Sequence, residues 1–576
     1  MSHIESARGA HYIDGEWTSG ASETRFSSRD PATGETLGSF PRATATDVER
    51  AVSAAETALE GWQALSHVDR AEYLWDVYHE LRNRTDELGA VVTRECGKEI
   101  SEGRADVVEA AHMVEYAAGN ARHPHGDVVP SELASKDAYM RRKPRGVVGC
   151  ITPWNFPVAI PFWHLAVTLV EGNTVVWKPA EQTPWCGEVI AEMMAEAGIP
   201  DGVFNLVQGH GDTGESIVAD DRVDTILFTG SASVGHEIAE RVAGDPGRSA
   251  CCEMGGKNAI VVTENADLDV AIHAAVMSSF KTTGQRCVSS EKLIVHESVY
   301  EEFKRRFVDL AAAVTIGDPL DEDTFMGPLV DEQQIETFHE YNELARTEGA
   351  NVLVDRAFLD DAEIASPTGG PEGTTTSTDR ERDLTEGHWA GPFVYEIEYD
   401  PTHRILREEV FGPHVALIEY SGGVERAVGI VNDTPYGLAG AIGAGHGVSH
   451  RVAGLAGVFF TSVASNTFGA VQLLLRELPA ALATDAARLL NLDPALVTTA
   501  EFSYTQGSGF LPHFAPLDFP LFSTFHGGFH PHVMSPPFLL TLGSLLLAYV
   551  RTPATEQRRR WALLGLTAPV TGFVLF

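Results

Sequence analysis

A cysteine that follows a glycine and a cationic residue is a candidate nucleophile in this sequence. Gly284, Gln285 and Arg286 lead directly into Cys287. A nearby guanidinium favours the thiolate form of a cysteine, and a glycine lets a substrate approach the backbone closely. We therefore expect surroundings that favour the thiolate form, although a lone cysteine is more often an inert residue of the core.

A carboxylate and an amide stand at two other places where chemistry is plausible. Glu253 ends an apolar stretch and precedes two glycines, a pattern that fits a general base but is also common in simple turns. Pro153 and Pro157 bracket Asn155. Because prolines restrict the backbone, this loop can aim the Asn155 amide as a hydrogen-bond donor.

A glycine-containing turn is a candidate phosphate site. Phe228-Thr229-Gly230-Ser231 follows a predicted strand and opens a predicted helix, and Gly235 lies five residues after Gly230. The free amides at a helix N-terminus bind phosphate groups of dinucleotides. The glycine spacing departs from GxGxxG, so this pattern alone is weak evidence.

The elements that must position these residues alternate between strands and helices. Residues 44–122 show helical periodicity, and short apolar runs then alternate with helical patterns. This alternation predicts a doubly wound α/β fold with a parallel sheet. The predicted strands are 146–151, 174–177, 204–207, 225–228 and 259–262, and the predicted helices between them are 183–197, 211–219 and 233–243.

In their order along the chain, these segments resemble the aldehyde dehydrogenase superfamily. The resemblance runs from residue 1 to about residue 443, and it implies oxidation of an aldehyde or semialdehyde to the carboxylic acid with NAD(P)+. Further matching segments are Lys178-Pro179-Ala180-Glu181, Glu408-Glu409-Val410-Phe411-Gly412-Pro413 and Asn432-Asp433-Thr434-Pro435-Tyr436-Gly437-Leu438.

The resemblance implies roles for three catalytic residues. Cys287 would attack the aldehyde carbon, and the Asn155 amide with the Cys287 backbone N–H would stabilise the oxyanion. Glu253 would activate the water that hydrolyses the thioester. Relatives that transfer the acyl group to coenzyme A generally lack this base, so Glu253 points to a free acid as the product.

The resemblance also implies a cofactor site that favours NAD and is compatible with NADP. Lys178 and Glu181 would bind the adenosine ribose, where a carboxylate repels a 2′-phosphate. The other expected contacts are Gly230 and Ser231 to the diphosphate, Glu409 and Phe411 to the nicotinamide ribose and ring, and around them Ile151, Thr152, Pro153, Trp154, Ala180, Gly211, Phe228, Gly235 and Met254.

The expected domain boundaries follow from the family. Residues 1–126 and 143–255 would form a Rossmann-type NAD(P)-binding domain, and residues 256–443 an α/β catalytic domain. Residues 127–142 would form an oligomerisation arm, for which the sequence itself gives a weak hairpin signal.

The catalytic domain is expected to be truncated. Family members continue with a strand, a helix, a second strand, a Pro-Phe-Gly-Gly segment of the substrate tunnel and a tail strand that pairs across subunits, and this sequence has none of them. Residues 443–447 instead resemble a glycine-rich junction. The loss of the tail strand calls the homo-oligomerisation of the family into question.

Residues 446–576 have the composition of a membrane-associated helical segment. Apolar stretches at 452–475, 533–550 and 561–576 predict spans, although a buried soluble helix is an equal alternative for the first. Three arginines, Arg558 to Arg560, place their loop in the cytoplasm by the positive-inside rule. A cytoplasmic catalytic part tethered to a membrane would satisfy this pattern.

Two short segments of this region resemble a second family. Asp518 to Ser523 and Gly527 to Val533 are similar to a fragment of an archaeal polytopic membrane protein named for a triple-tyrosine motif. A fusion of a truncated dehydrogenase with a membrane-protein fragment, impaired in catalysis, is therefore the alternative to a working enzyme.

Charge separates the two regions as well. The 576 residues carry 81 acidic and 42 basic side chains, a net charge of −39. Residues 1–445 account for −40 and residues 446–576 for +1. Such acidity argues against nucleic-acid binding, which needs a basic surface. Together with the use of 8 Lys against 34 Arg, it suits the cytoplasm of a halophile, where salt screens the repulsion between acidic groups. An acidic mesophilic enzyme is the alternative.

The cysteines and histidines predict neither disulfides nor a metal site. The six cysteines form no CxxC pair, which suits a reduced, cytoplasmic N-terminal part. No His/Cys cluster has the short spacing typical of zinc sites.

Overall fold

The computed structural model describes residues 6–123, 125–359, 364 and 382–443. The chain divides into two compact units, residues 1–443 and residues 444–576, and the second unit lies outside the described residues. The predicted spans at 452–475, 533–550 and 561–576 therefore also lie outside them. Within the described part of the chain, no helix has both the length and the apolar character needed to cross a bilayer.

Four helices follow an N-terminal set of short strands, as the helical periodicity predicts. Thr44 and Asp47 form a capping box at the first helix, and Ser66 and Asp69 form one at the second. These reciprocal hydrogen bonds fix where each helix begins. The elements are β1 (His11–Ile13), β2 (Glu16–Thr18), β3 (Arg25–Arg29), β4 (Thr36–Pro41), α1 (Ala45–Ala64), α2 (His67–Asn83), α3 (Thr85–Cys96) and α4 (Ile100–Gly119).

An antiparallel hairpin projects after these helices. It consists of β5 (Gly126–Val129) and β6 (Ala138–Arg141), in which Val128 pairs with Tyr139. Both side chains are open to solvent, with exposures of 87% for Val128 and 78% for Tyr139. The weak hairpin signal of the sequence is thus confirmed, and its apolar surface is left uncovered within the described chain.

The first large sheet is doubly wound, as predicted. Its strand order is β11-β10-β7-β8-β9-β1-β2, and β7 to β11 are parallel. The central strands are fully buried apolar runs, which is typical of parallel sheets covered on both faces. The new elements are β7 (Val147–Ile151), α5 (Ala159–Val170), β8 (Thr174–Lys178), α6 (Pro184–Glu196), β9 (Phe204–Leu206), α7 (Gly211–Ala219), β10 (Thr225–Gly230), α8 (Ala232–Ala243) and β11 (Ser249–Met254).

A second sheet of six strands follows, in the order β14-β15-β16-β13-β12-β17. All its strands are parallel except for the β14–β15 pair. The last described strand, β17, is therefore an edge strand beside β12. The new elements are β12 (Asn258–Val262), α9 (Leu268–Phe280), β13 (Ser290–His296), α10 (Glu297–Ala312), α11 (Glu332–Thr347), β14 (Asn351–Asp355), β15 (Phe393–Glu396), β16 (His414–Tyr420), α12 (Val424–Asn432) and β17 (Gly440–Gly443).

Candidate active site

Four neighbouring strands of the first sheet bring the expected cofactor residues to one edge. In the register, Ile151 lies opposite both Phe228 and Lys178, and Gly230 lies opposite Met254. Thr152 continues this edge, since its backbone N–H donates to the carbonyl of Lys178 at 3.2 Å. Ligands of open α/β sheets bind at the carboxyl ends of the strands, where these residues lie.

The start of α8 has the features of an anion site. Ser231 caps this 12-residue helix, yet its side chain does not occupy the first amides and is exposed. Gly235 allows the helix to pack closely, because a Cβ there would lie 2.6 Å from the Met254 sulfur. Free amides and a positive helix end favour a phosphate at this point.

An ion pair lies at the next strand end, where the ribose is expected. The Lys178 Nζ is 2.9 Å from the Glu181 carboxylate, and His210, which immediately precedes Gly211, is 3.8 Å from the other carboxylate oxygen. Burial opposes ionisation, but the adjacent Lys178 lowers the pKa of Glu181. Glu181 is therefore a carboxylate at neutral pH.

The loop that carries Cys287 has an unusual backbone. Thr282 and Thr283 both have φ of 55°, a left-handed conformation that costs about 1–3 kcal/mol in a non-glycine residue. The Thr283 hydroxyl donates to the Gly327 carbonyl at 2.8 Å, and a Cβ on Gly284 would lie 2.2 Å from the Gly412 carbonyl oxygen. Close packing on both sides holds the loop in this shape.

Two asparagines hold the loop around Cys287. The Asn155 amide donates to the Gln285 carbonyl at 3.1 Å, which places it beside Cys287 as expected. The Asn258 amide donates to the Cys287 carbonyl at 2.7 Å and to the Ser289 carbonyl at 3.0 Å. Asn258 was not expected from the sequence, because its contacts span about 30 residues and follow no local motif.

The electrostatics of Cys287 differ from the expectation. Burial, followed by the carboxylate of Glu409, raises the pKa of the Cys287 thiol to about 12, and Glu253 adds to the rise. Arg286 does not counter this, because its guanidinium pairs with Glu102 and also donates to the Thr282 hydroxyl at 3.0 Å. The prediction of surroundings that favour the thiolate form was therefore wrong: the resting residue is protonated.

Glu409 is held by the two glycines that follow the expected base. Its carboxylate accepts a hydrogen bond from the Gly256 N–H at 2.8 Å, and a Cβ on Gly255 would lie 1.9 Å from it. Burial and the neighbouring Glu291 raise the pKa of Glu409 to about 7. The lack of a side chain at Gly255 and Gly256 thus leaves room for the Glu409 carboxyl group, which ionises near neutral pH.

Phe411 reaches the same edge from the second sheet. Its φ is 58°, and its ring lies edge-on to Trp154 with centroids 5.6 Å apart. Gln334 donates to the carbonyls of Val410 and Phe411 at 3.1 and 3.0 Å. These hydrogen bonds hold the strained turn that presents the ring.

Glu253 is the last residue but one of β11 and reaches solvent, while partial burial raises its pKa. It lies opposite Thr229 in the β10–β11 register. The Thr229 hydroxyl is 2.9 Å from the Nε2 of His164, and burial lowers the pKa of His164 to about 4. His164 was not predicted from the sequence, although an imidazole within the apolar α5 is a visible signal.

Comparison with known proteins agrees with this geometry. Residues 17–456 match the Aldehyde dehydrogenase family, and residues 420–576 match a family described as Uncharacterized membrane protein (DUF2298). The second match confirms the resemblance to a membrane-protein fragment. Within the overlap of the two matches, α12 and β17 are part of the first unit, in which β17 pairs with β12.

Individual relatives cover most of the first unit. Alpha-ketoglutaric semialdehyde dehydrogenase of Bacillus subtilis (strain 168) is 37% identical over 438 residues, which are 75% of this chain and 84% of that protein. An NAD-dependent aldehyde dehydrogenase from Sinorhizobium meliloti is 31% identical with a TM-score of 0.70, covering 77% of this chain and 84% of its own. Betaine aldehyde dehydrogenase from Staphylococcus aureus, solved with NAD+, is 29% identical with a TM-score of 0.72, covering 78% and 86%. The chain therefore belongs to the aldehyde dehydrogenase family.

Proposed function

We propose that this protein oxidises an aldehyde or semialdehyde to its carboxylic acid with NAD(P)+, through a thioester on Cys287. The observation that carries the proposal is the convergence of Asn155 and Glu253 on the Cys287 loop. Asn155 donates to the carbonyl two residues before the thiol, and the charge of Glu253 acts on the thiol itself. A nucleophile, an amide donor and a base in one place suit acyl chemistry.

Acylation would begin with a proton transfer, because the resting thiol is neutral. Glu253 takes the Cys287 proton as sulfur bonds to the aldehyde carbon, and the Asn155 amide with the Cys287 N–H stabilises the oxyanion. NAD(P)+, when bound, would supply the acceptor for the hydride that leaves this carbon. A thioester on Cys287 remains.

Deacylation would reuse the same base. Once Glu253 has released to solvent the proton it took from Cys287, it removes a proton from water, and the hydroxyl oxygen attacks the thioester carbon. The carbon–sulfur bond then breaks to release the acid, and the proton held by Glu253 passes to the leaving sulfur, which restores the thiol. The His164–Thr229 pair lies beside this carboxylate, and its neutral ring is suited to keep the Thr229 hydroxyl in place.

The site fits a dinucleotide, and it favours NAD over NADP. Ser231 with the free amides of α8 would hold the diphosphate, and Glu181 the ribose hydroxyls. Because Lys178 is already paired with the Glu181 carboxylate, little positive charge remains for a 2′-phosphate. Glu409 and Phe411 would contact the nicotinamide ribose and ring.

The test separates the two chemical steps by rapid mixing with NAD+ and a panel of aldehydes in high salt. Cys287→Ala is expected to abolish both the burst of NADH and steady turnover. Glu253→Gln should slow deacylation more than hydride transfer, so that a burst persists while the steady rate falls. Cys251→Ala, which removes an exposed thiol on the same strand as Glu253, should behave as the parent. Equal loss of burst and steady rate in Glu253→Gln would contradict its role in hydrolysis.

The second candidate function is an impaired fusion product, and one observation favours it. The chain matches 84% of its Bacillus subtilis relative, and the expected tunnel segment and tail strand of the family are replaced by a membrane-protein match. Absence of NADH formation from the whole panel by folded protein that still binds NAD+ would support this alternative.

A further inference from the structure

Two histidines and a glutamate meet at the root of the β5–β6 hairpin. His67 is the first residue of α2, Glu171 ends α5, and His125 immediately precedes β5. One carboxylate oxygen of Glu171 is 3.6 Å from the His67 Nε2 and 3.7 Å from the His125 Nδ1. The three candidate ligand atoms all lie within 4.8 Å of one another.

The two nitrogen–oxygen distances are longer than direct hydrogen bonds and match the spacing of ligand atoms around a shared cation. A nitrogen–oxygen hydrogen bond spans about 2.7–3.2 Å, which is shorter than either contact. In a tetrahedral zinc site with bonds of about 2.0–2.2 Å, neighbouring ligand atoms are roughly 3.3–3.6 Å apart. Small side-chain movements would therefore complete such a site.

The two histidine rings lie close together at this site. The two rings stack with centroids 3.8 Å apart, an arrangement that disfavours two positive charges. Neutral imidazoles and a carboxylate are the ligands that zinc prefers among nitrogen and oxygen donors.

Arg70, a neighbouring cation that could pair with Glu171 in place of a metal, makes its hydrogen bonds elsewhere. The Arg70 guanidinium donates to the carbonyls of Val170 and Leu65 at 2.8 and 2.6 Å. The second ring nitrogen of His125, Nε2, is buried without a hydrogen-bond partner among the described residues. The His125 nitrogen that faces Glu171 is the other one, Nδ1.

We propose that His67, His125 and Glu171 form a binding site for a divalent transition-metal ion, represented by zinc, with water completing the coordination. Sequence spacing could not predict it, because the ligands are 58 and 46 residues apart. The site lies at the opposite end of α5 from Asn155, about 18 Å away for a 12-residue helix. Its role is structural: the ion joins the hairpin root to α2 and α5.

Zinc binding by the full chain tests this proposal. The protein is purified without a histidine tag, treated with a chelator, dialysed against zinc and analysed for metal content by mass spectrometry. We expect the parent to hold one more zinc per chain than His67→Gln, His125→Gln or Glu171→Gln. His79→Gln, an exposed histidine on the same helix, should match the parent.

A stability measurement guards against variants that simply misfold. Because zinc binds only the folded site, it should raise the thermal unfolding midpoint of the parent and of His79→Gln. Glu171→Gln keeps the side-chain shape, so its midpoint without zinc should match the parent's and should not rise with zinc. Equal zinc content in all variants, or an equal rise in Glu171→Gln, would overturn the proposal.

Discussion

Cys287 is held as a neutral thiol by the groups that surround it. Burial is the largest cause of its raised pKa, and the Glu409 carboxylate is the next. Below a pKa of about 12 each pH unit lowers the thiolate fraction tenfold. The resting residue is therefore protected from alkylation and oxidation, which require thiolate.

Glu409→Gln should lower the pKa of Cys287 and speed its alkylation. Glutamine can still accept the Gly256 N–H, but it carries no charge to oppose thiolate formation. Since the pKa of Glu409 is about 7, the difference should grow as the pH rises through 7 and the parent carboxylate ionises. Iodoacetamide labelling of the Cys287 peptide, followed by mass spectrometry against pH without cofactor, measures this.

The adjacent carboxylate is the control for this change. Glu408 pairs with Arg404 and Tyr341 rather than with the Cys287 loop. Glu408→Gln should thus leave the labelling profile unchanged. Identical profiles for Glu409→Gln and the parent would show that burial alone sets the thiol pKa.

Sequence motifs predicted the residues of the site but not their interactions. Asn155, Glu253 and Lys178 lie where the motifs indicated, because the ends of parallel strands share one edge. Arg286 was expected to favour the thiolate and does not, because its guanidinium pairs with Glu102, 184 residues away in the sequence. Contacts of that range depend on tertiary packing, which local spacing does not encode.

At the scale of elements, α6 is capped from another helix. Its own N-cap residue makes no side-chain hydrogen bond, and Glu95 of α3 accepts the Trp185 and Cys186 N–H groups at 2.9 and 2.8 Å. Ser28 donates to the same carboxylate at 2.7 Å. One buried side chain therefore joins α3, β3 and the start of α6.

Glu95→Ala should destabilise the first unit by roughly 2–5 kcal/mol, because it leaves two buried N–H groups unpaired. Burial raises the pKa of Glu95 to about 7, well above the ordinary pKa of a glutamate. The contribution of Glu95 to the free energy of unfolding is therefore complete below that ordinary pKa and is lost as the pH rises from it toward 7. Urea unfolding followed by tryptophan fluorescence should show a weaker pH dependence in the variant than in the parent, because other buried carboxyl groups such as Glu409 still titrate near pH 7. Asp86→Asn, an exposed change on α3, should shift the midpoint little; a matching shift would refute the capping role.

Elements of the fold differ in how clearly the sequence reveals them. The buried strands β7, β8, β9, β10 and β12 were predicted, because continuous apolar runs are distinctive. The edge strand β11 was not predicted: its side chains are half-buried, and two cysteines and a glutamate interrupt the apolar pattern. Its position is set by pairing with β10, which is a tertiary contact.

At the scale of the whole molecule, the hairpin carries a cluster of uncovered apolar side chains. Val128, Leu133 and Tyr139 are all more than half exposed. Exposed apolar patches favour association with another surface. A contact between subunits through this arm is therefore our expectation.

Val128→Asp should weaken that association by placing a charge at the centre of the hairpin pair. The expected result is a lower mean mass by light scattering, with unchanged circular dichroism. Ser135→Asp, at the exposed tip between the strands, should leave the mass as in the parent. If both variants keep the parent mass, the arm is not the contact.

The full chain is expected to be poorly soluble and less active than a complete relative. The acidic residues 1–445 carry −40, whereas residues 446–576 carry +1 and contain apolar stretches suited to lipid. Residues 446–576 lack the alternation of apolar and polar residues that a further strand beside β17 would need. Detergent-free purification, size analysis and NAD-linked activity test this, and a soluble tetramer with ordinary turnover would contradict it.

The hairpin also determines where amine-reactive reagents will attach. The chain has eight lysines, and four of them (Lys98, Lys178, Lys257 and Lys292) are buried. Lys281 and Lys304 are paired with carboxylates. Exposed amines remain at Lys136 on the hairpin and Lys143 just after it. Among the lysines, Lys136 and Lys143 will therefore react first with succinimidyl dyes and cross-linkers, so that an attached dye reports on the surroundings of the hairpin while the buried lysines stay unmodified.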